Sequence, residues 1–413
     1  MGDIFAVLLE VVSIQKYVFG SNKLKENLGG SWLIQEVFET PLRTAAITAV
    51  PTAVNYDFNA WRDSPDEIQI TKGSDFEVGY IGGGNALLFF RHPDNAKCFV
   101  TEWTKMLLVQ APGVMTAVAC DKFKLGDFKS GITRMFTLLR QQKQSQVPLT
   151  VIPRHGITAE CPRSGYSMDV WRDMNTKYVS SVTNAKLAAA EEANKKLSKD
   201  FSENLRDEYC YSDEFDKLGQ KTGESHIAIV HIDGNGMGKR FHQTMSLPSL
   251  RDLSKTVKIA TQGSFASVLD TITSRFEDIF QALGYKSRSD YDREHNEKGR
   301  PLLPIRPIII GGDDITFVSD GRLGVYFAKL FLEAFESQTV SEGEKLSACA
   351  GIAITKTKYP FYRGYQLSEE LCGNAKSIRK KQNNDGSWLD FHISYGGFSG
   401  PLDRIRKDHY IAP

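Results

Sequence analysis

The same order of predicted elements occurs twice in this chain, and this duplication limits its fold more than any other feature of the sequence. Residue patterns predict strand, helix, two strands, helix and strand over residues 3–123, and the same order over residues 223–413. The two hairpins also correspond, since "VGYIGGGNALLFF" (78–90) has the shape of "PIIIGGDDITFV" (307–318). The sequence therefore predicts one small domain that was duplicated and then diverged.

The order β-α-β-β-α-β is the ferredoxin-like arrangement, which also forms the core of polymerase and cyclase palm domains. We therefore predict an α+β fold with two ferredoxin-like palm domains, a degenerate first palm over residues 1–123 and a second palm over residues 223–413. Residues 124–222 are charged and alanine-rich with little strand pattern, so they are predicted to be a mostly helical connector. In the first palm, "KLKENLGGSWLIQEVFETPL" (23–42) predicts a helix that is broken at its two glycines.

The composition is typical of a globular protein, with 413 residues of which 41% are hydrophobic and 24% charged. The 51 Lys and Arg nearly balance the 50 Asp and Glu, so overall charge does not favour nucleic acid as a partner. The six cysteines form no Cys-x-x-Cys pair, which gives no support for a zinc ribbon or a disulfide framework. The N-terminal segment has neither a basic leader nor a membrane-spanning apolar run, so we expect a cytoplasmic protein with no membrane partner.

Three aspartates are predicted to meet in the second palm. In a ferredoxin-like sheet the first and third strands are antiparallel neighbours, so the end of the first strand lies beside the turn that opens the third. Asp233 ends the first strand, and Asp313 and Asp314 lie at that turn. Neighbouring carboxylates repel one another and are costly to bury without a cation. Oxygen ligands of this kind suit Mg²⁺ or Mn²⁺, so we predict that these three residues are catalytic and bind two divalent ions.

The residues around these aspartates are predicted to bind a nucleotide. Glycine-rich turns leave backbone N–H groups free to meet phosphates, and lysines one helical turn apart share a face. Plainer interpretations remain: a solvated turn for GGDD, the start of a helix for the glycine loop, and an exposed helix face for the lysines. The predicted nucleotide-binding residues of the second palm are Gly234, Asn235, Gly236, Gly311, Gly312, Lys376 and Lys380.

The first palm has lost most of these carboxylates. Glu10 occupies the place of Asp233, and the turn reads Gly84-Asn85 where the second palm has two aspartates. One carboxylate does not hold two metal ions, so catalysis is predicted for the second palm. Two interpretations stay open for Gly83, Gly84 and Asn85: a simple hairpin, or a surface that a second nucleotide approaches closely.

These residues resemble the large, polymerase-like subunit of type III CRISPR effector complexes, a family that pairs a degenerate first palm with a GGDD-bearing second palm. The resemblance covers most of the chain. "SIQKYVFGSNKLKENLGGSWLIQE" is similar to the opening of the first palm, and "CPRSGYSMDVW" through "YVSSVTNAKLAAAEEANKKL" resembles the stretch between palms. "HIDGNGMGK", "IIIGGDDITFV" and "LDFHIS" are similar to the second palm. GGDD by itself also suggests diguanylate cyclases and other GGDEF-type enzymes.

The resemblance implies that ATP is converted, between palms that face each other, into cyclic oligoadenylates with 3′–5′ links that act as second messengers in antiviral defence. Two departures from the family are expected, since an HD nuclease domain before the first palm and a helical domain after the second are missing. The zinc-binding cysteines often found between the palms are also reduced to Cys161. The chain then resembles a stand-alone two-palm core, related to minimal CRISPR polymerases. These departures leave open a need for RNA, a homodimer or defence-complex partner, and a cyclic dinucleotide as the product.

We therefore expect a metal-dependent nucleotidyltransferase that makes a cyclic oligonucleotide, most simply from ATP, and releases pyrophosphate. One alternative is a non-catalytic palm scaffold in a CRISPR-type ribonucleoprotein, although a scaffold has no reason to keep three mutually repelling carboxylates. Another is a diguanylate or mononucleotide cyclase, although such enzymes assemble their sites across two protomers and this chain already carries two palms. Base identity, product ring size, linkage and activating signal are not encoded in any motif of the sequence.

Overall fold

The computed structural model describes residues 4–145, 156–172, 177–218, 226–297, 299–340, 343–383, 386–394 and 402–409. The chain divides into two compact units, each assembled from separate stretches of sequence. Unit 1 contains Met1–Gly20, Gly29–Glu191 and Gly236–Val257. Unit 2 contains Ser21–Leu28, Glu192–Asn235 and Lys258–Pro413. The division into domains at residues 123 and 222 stays a prediction.

The strands of the described residues form two larger sheets and two short hairpins. They are β1 (Ile4–Val12), β2 (Phe76–Gly82), β3 (Asn85–Phe90), β4 (Met115–Phe123), β5 (Val170–Arg172), β6 (Lys177–Val179), β7 (His226–Gly234), β8 (Asn296–Glu297), β9 (Arg300–Pro301), β10 (Ile305–Gly311), β11 (Asp314–Asp320), β12 (Ala348–Lys356) and β13 (Trp388–Ile393).

The α-helices of the same residues are α1 (Ile14–Phe19), α2 (Leu24–Glu36), α3 (Thr40–Ala49), α4 (Ala60–Asp63), α5 (Pro93–Gln110), α6 (Phe128–Ser145), α7 (Ser181–Asp200), α8 (Ser202–Leu205), α9 (Met237–Gln243), α10 (Leu247–Ser274), α11 (Phe276–Ala282), α12 (Arg288–Glu294), α13 (Gly324–Glu336), α14 (Phe361–Lys381) and α15 (Leu402–His409). Short 3-10 helices lie at Pro51–Asn55, Gln69–Lys72, Leu125–Asp127 and Phe215–Lys217. No helix in the described ranges is long and apolar enough to cross a membrane.

Both larger sheets have the strand order that the duplication predicts. The first sheet runs β2-β3-β1-β4, and the second runs β10-β11-β7-β12 with β13 added in parallel beside β12. The edge strand of each hairpin also shifts register at the same place, between Val78 and Tyr80 in β2 and between Pro307 and Ile309 in β10. The mixed α/β fold is confirmed, and the equivalent connectivity of the two sheets supports an origin by duplication.

Apolar, β-branched runs place the first strand of each repeat at the centre of its sheet. Ala228, Ile229, Val230 and Ile232 of β7 are fully buried, because β7 is paired on both sides and α13 and α14 pack on the sheet. In the first sheet α5 and α6 pack on β1 in the same way. The repeat thus continues beyond residue 123, since α6 follows β4 as α14 follows β12.

Two local predictions need correction. The helix predicted to break at Gly29 and Gly30 is continuous as α2, and the chain breaks only after Glu36. The glycines serve close packing instead, because a Cβ on Gly29 would lie 1.8 Å from the carbonyl oxygen of Lys186 in α7. The segment predicted as helical connector contains α6, α7 and α8, but it also contains the β5–β6 hairpin, which is too short to show a strand pattern.

Candidate functional site

Strand pairing brings Asp233 and Asp314 together. The strands β7 and β11 are antiparallel neighbours, and Asp233 at the end of β7 lies directly opposite Asp314 at the start of β11. Side chains of directly opposed residues project from the same face of a sheet and lie within contact distance. The two carboxylates therefore share one face at the end of the sheet, as the strand order predicts.

The turn before Asp314 holds the third carboxylate. Gly311 pairs with Asp314, which leaves Gly312 and Asp313 as the two turn residues. Gly312 has a φ of +58°, a conformation that favours glycine at the first position of a type II′ hairpin turn. The backbone N–H of Gly234 donates to the carbonyl of Asp313 at 3.1 Å, which ties the turn to the end of β7.

The carboxyl group of Asp313 has a raised pKa. Burial raises its pKa to about 7, and the negative charges of Asp233 and Asp314 add to the effect of burial. The ammonium group of Lys376 opposes this rise. A positive charge placed beside this carboxyl group therefore strongly stabilises its ionised form.

Lys376 supplies positive charge at Asp233. Its Nζ on α14 donates a hydrogen bond to the Asp233 carboxylate and lies 3.3 Å from the carbonyl oxygen of Gly234. Lys380, one helical turn further on, is exposed to solvent. Of the two predicted lysines, it is Lys376 that contacts the carboxylates.

The predicted glycine loop divides into anchored and open positions. Gly234 is buried, and Asn235 is anchored because its backbone N–H donates to the Ser347 carbonyl at 2.8 Å and its side chain donates to the Ser347 hydroxyl at 3.1 Å. Gly236 is exposed with a φ of +73°, and a Cβ built there or on Gly311 would meet no atom within 4 Å. Open backbone at Gly236 and Gly311 leaves space for a ligand to approach, whereas the side chain of Asn235 is engaged by Ser347.

A buried polar group behind Asp314 was missed by the sequence analysis. His231, two residues before Asp233 on β7, lies with its Nδ1 3.3 Å from an Asp314 carboxylate oxygen and 3.3 Å from the Thr316 hydroxyl. Burial lowers the pKa of His231, but the contact with Asp314 and the negative charges of Asp314, Asp233 and Glu369 together outweigh burial, so the pKa is raised. Tyr365 of α14 packs edge-on against the His231 ring. The alternation of strand side chains places His231 on the Asp233 face, which was a usable signal.

The first sheet repeats this geometry with different residues. Glu10 lies opposite Asn85, as Asp233 lies opposite Asp314. The Val11 N–H donates to the Gly84 carbonyl at 2.9 Å, as Gly234 does to Asp313. Here both turn glycines have positive φ, +59° at Gly83 and +76° at Gly84, as in a type I′ turn. The predicted correspondence of Gly84-Asn85 with the two aspartates therefore agrees with the strand register.

The partner of Glu10 was also missed. Lys143 on α6 donates to the Glu10 carboxylate at 2.7 Å. Because α6 follows β4 as α14 follows β12, Lys143 is the structural counterpart of Lys376. Extension of the repeat beyond residue 123 would have aligned Lys143 with Lys376, although the contact with Glu10 depends on how α6 packs on the sheet.

The carboxylates fit a divalent cation by their chemistry, although they do not form a ready-made cage. In the described ranges, no group of three or more His, Cys, Asp or Glu is arranged to hold a metal ion. The buried Oδ1 of Asp314 accepts no hydrogen bond, and its 3.3 Å contact with His231 is therefore an ion-pair contact only. An unsatisfied carboxylate oxygen beside a carboxyl group of raised pKa is the arrangement that a hard cation stabilises.

Comparison with known proteins supports a palm domain in the second half of the chain. Residues 226–384 match the family described as Cas10/Cmr2, second palm domain. Among curated proteins, none matches this chain.

Similar folds occur in crystal structures of Csm1-Csm4 complexes. In each of the three comparisons below, 97% of this chain is covered. The complex with cA3 is 13% identical, with a TM-score of 0.56 and 55% of that chain covered. The complex with AMPPNP is 13% identical, with a TM-score of 0.54 and 55% covered. The Csm1-Csm4 subcomplex of the type III-A CRISPR-Csm interference complex is 14% identical, with a TM-score of 0.54 and 56% covered.

This chain spans about half the length of these solved structures, and at such identities the likeness concerns the fold. Together with the palm-domain match, it confirms the resemblance that the sequence motifs indicate. Residues 226–384 match the Cas10/Cmr2 second palm domain family, and the fold of the chain is similar to that found in these Csm1-Csm4 structures.

Proposed function

We propose that this protein is a metal-dependent nucleotidyltransferase that joins ATP into a cyclic oligonucleotide, releases pyrophosphate and so produces a second messenger of antiviral defence. The observation that carries the proposal is the pairing of Asp233 with Asp314 beside the Gly312-Asp313 turn. Similar folds bind related molecules: Csm1-Csm4 cassettes are found in complex with cA3, cA4 and AMPPNP.

Asp233, Asp313 and Asp314 would hold the predicted Mg²⁺ or Mn²⁺ ions. When bound, such ions supply positive charge that favours loss of the proton from an attacking hydroxyl and stabilises a departing pyrophosphate. The carboxylates themselves are fixed by the strand register and by the bond from Gly234 to the turn. Fixed ligands limit the reorganisation that cation binding demands.

Lys376 would bind a phosphate of the substrate. Its flexible side chain ends in a positive charge that already contacts the Asp233 carboxylate, and this charge would contact a phosphate oxygen of a nucleotide bound there. Gly236, Gly311 and Gly312 would let the nucleotide approach the backbone closely. Gly234 and Asn235 would shape the loop, and Lys380 remains a predicted phosphate contact.

The first sheet would bind a second nucleotide rather than catalyse. Its hairpin keeps the open backbone at Gly83, where a Cβ would meet no atom within 4 Å. Gly84 is more constrained, because a Cβ there would lie 2.5 Å from the Ile14 side chain. Asn85 contributes an amide where the second sheet has the carboxylate of Asp314. The first sheet would therefore bind a metal ion more weakly than the second.

The test is incubation of the purified protein with each nucleoside triphosphate and Mn²⁺ or Mg²⁺, followed by mass spectrometry of the products. We expect ATP to give a cyclic oligoadenylate or a cyclic dinucleotide together with pyrophosphate, and a chelator to stop the reaction. The same assay with guide and target RNA or with defence-complex partners measures whether an activator is needed. A product made from GTP alone would favour a diguanylate cyclase, and absence of any product under all these conditions would favour the scaffold.

A further inference from the structure

The GGDD turn is held from a second side by a helix. Thr261 of α10 donates its hydroxyl to the carbonyl oxygen of Gly312 at 2.7 Å. Both residues belong to unit 2, and Thr261 is only 1% exposed. The turn is thus fixed at two successive carbonyls, that of Gly312 by Thr261 and that of Asp313 by Gly234.

The hydrogen bond of Thr261 differs from those of nearby hydroxyls on the same helix. Ser264 donates to the Ala260 carbonyl at 2.7 Å and Thr271 donates to the Ser267 carbonyl at 2.9 Å, which is the usual bond of a helical hydroxyl to the residue four positions before it. Thr261 instead reaches a carbonyl 51 positions away in sequence. This bond is therefore a tertiary contact specific to the turn.

A rigid peptide group connects this bond to the Asp313 carboxylate. The carbonyl of Gly312 and the N–H of Asp313 belong to one planar peptide unit, so fixing the carbonyl also fixes the direction of the N–H. The side chain of Asp313 branches from the Cα that follows this N–H, so the orientation of the peptide limits where the carboxylate points. A hydroxyl on α10 thereby acts on the orientation of a carboxylate that it does not touch.

We propose that Thr261 is a positioning residue, which orients the Asp313 carboxylate through the Gly312–Asp313 peptide. The glycine at position 312 makes such a restraint necessary, because glycine lacks the Cβ that restricts the backbone of other residues. The consequence for turnover rests on the proposed function, whereas the restraint on the peptide does not.

Selective labelling isolates this peptide. The sequence contains three Gly-Asp steps, at residues 2–3, 126–127 and 312–313. Protein labelled with carbonyl-¹³C glycine and ¹⁵N aspartate therefore gives carbonyl–nitrogen correlations from these steps alone. We expect Thr261→Val, which keeps the side-chain shape and removes the hydroxyl, to move the 312–313 signal and to leave the 126–127 signal in place. Thr261→Ser should restore it, and Thr261→Ala provides a second hydroxyl-free variant should the valine variant fold poorly.

The matched control is Ser264→Ala, which removes an equally buried hydroxyl from the same helix. We expect it to leave the 312–313 signal unchanged. In the turnover assay Thr261→Val should lower kcat about tenfold with the KM for ATP unchanged, as expected when one orienting hydrogen bond is lost, and Thr261→Ser should recover kcat. An unmoved 312–313 signal in folded Thr261→Val, or an equal movement in Ser264→Ala, overturns the proposal. If the wild-type protein makes no product, the proposed function fails while the signal still decides the positioning role.

Discussion

The Nζ of Lys376 donates a hydrogen bond to the carboxylate of Asp233, so a lysine side chain provides the positive charge at the first of the three aspartates. The first sheet contains the same relationship between Lys143 and Glu10, at 2.7 Å. A lysine–carboxylate pair thus lies at the equivalent place in both sheets. What differs is the turn opposite the pair, which carries Asp313 and Asp314 in one copy and Gly84 and Asn85 in the other.

Replacement of Lys376 should change metal and nucleotide binding in opposite directions. In Lys376→Met we expect Mn²⁺ to bind several-fold more tightly, because a competing positive charge is removed from Asp233. ATP should bind several-fold more weakly, because a phosphate contact is lost. Calorimetry with Mn²⁺ alone and with ATP measures both constants. Lys381→Met, which removes an exposed charge from the same helix, is the control, and parallel shifts in the two affinities would contradict the assignment.

Removal of both turn carboxylates should abolish nucleotide turnover without unfolding the protein. The variant Asp313→Ala with Asp314→Ala loses charge stabilisation worth several kcal/mol in the transition state. We expect its melting temperature in chelator not to fall, because burial and mutual repulsion raise the pKa of Asp313 to about 7 in the intact site. Mass spectrometry of the products measures turnover, and thermal unfolding measures the melting temperature. Asp278→Ala, which removes an exposed carboxylate, should keep activity; turnover retained in the double variant would end the catalytic assignment.

The two acids that end the first strands should differ in importance. Asp233→Asn removes a predicted metal ligand, so we expect turnover to fall at least a hundredfold. Glu10→Gln should cost less than tenfold, because Asn85 opposite Glu10 offers no second carboxylate for a cation. Initial rates of product formation from ATP measure both. Equal losses would mean that the first sheet is also catalytic.

Added bulk at Gly83 should block the joining of nucleotides without affecting the second sheet. We expect Gly83→Val to lose product while one ATP still binds with Mg²⁺, which calorimetry and mass spectrometry measure together. Valine is strained at the φ of +59° found here, so Gly83→Asn serves as the control because asparagine tolerates that conformation better. Asparagine should keep the hairpin and reduce product by its bulk alone. An unchanged product yield in both variants would leave the first hairpin with a structural role only.

The stability of the protein in chelator should fall as pH rises through about 7. Burial raises the pKa of Asp313 from 3.8 to about 7, so between these values the folded protein binds a proton that the unfolded chain has released. Folding is then favoured as pH falls towards 4 and weakened as pH rises through 7. The raised pKa of His231 acts in the same direction. The difference in melting temperature between pH 5 and pH 8 should be smaller in Asp313→Asn than in the wild-type protein. An equal difference in the two proteins would refute the contribution of Asp313.

Short-range patterns in the sequence determined much of the fold. Apolar, β-branched runs around paired glycines fixed the two hairpins, and the order of elements fixed the neighbours of β1 and β7 in their sheets. From that order Asp233 was predicted beside Asp314, because the first and third strands of a ferredoxin-like sheet are antiparallel neighbours and the end of one lies beside the start of the other.

Tertiary structure decided what depends on contacts between distant elements. The packing of α7 on Gly29 keeps α2 continuous, although glycine pairs weaken isolated helices. Three contacts depend on how helices and strands pack, because the periodicity of a helix or strand does not give distances between elements. They are those of Thr261 with Gly312, Lys143 with Glu10 and His231 with Asp314. The sequence thus determined which residue types meet at the end of each sheet, and only the folded chain decided which of them contact one another, because side-chain contacts across elements depend on packing geometry rather than on local pattern.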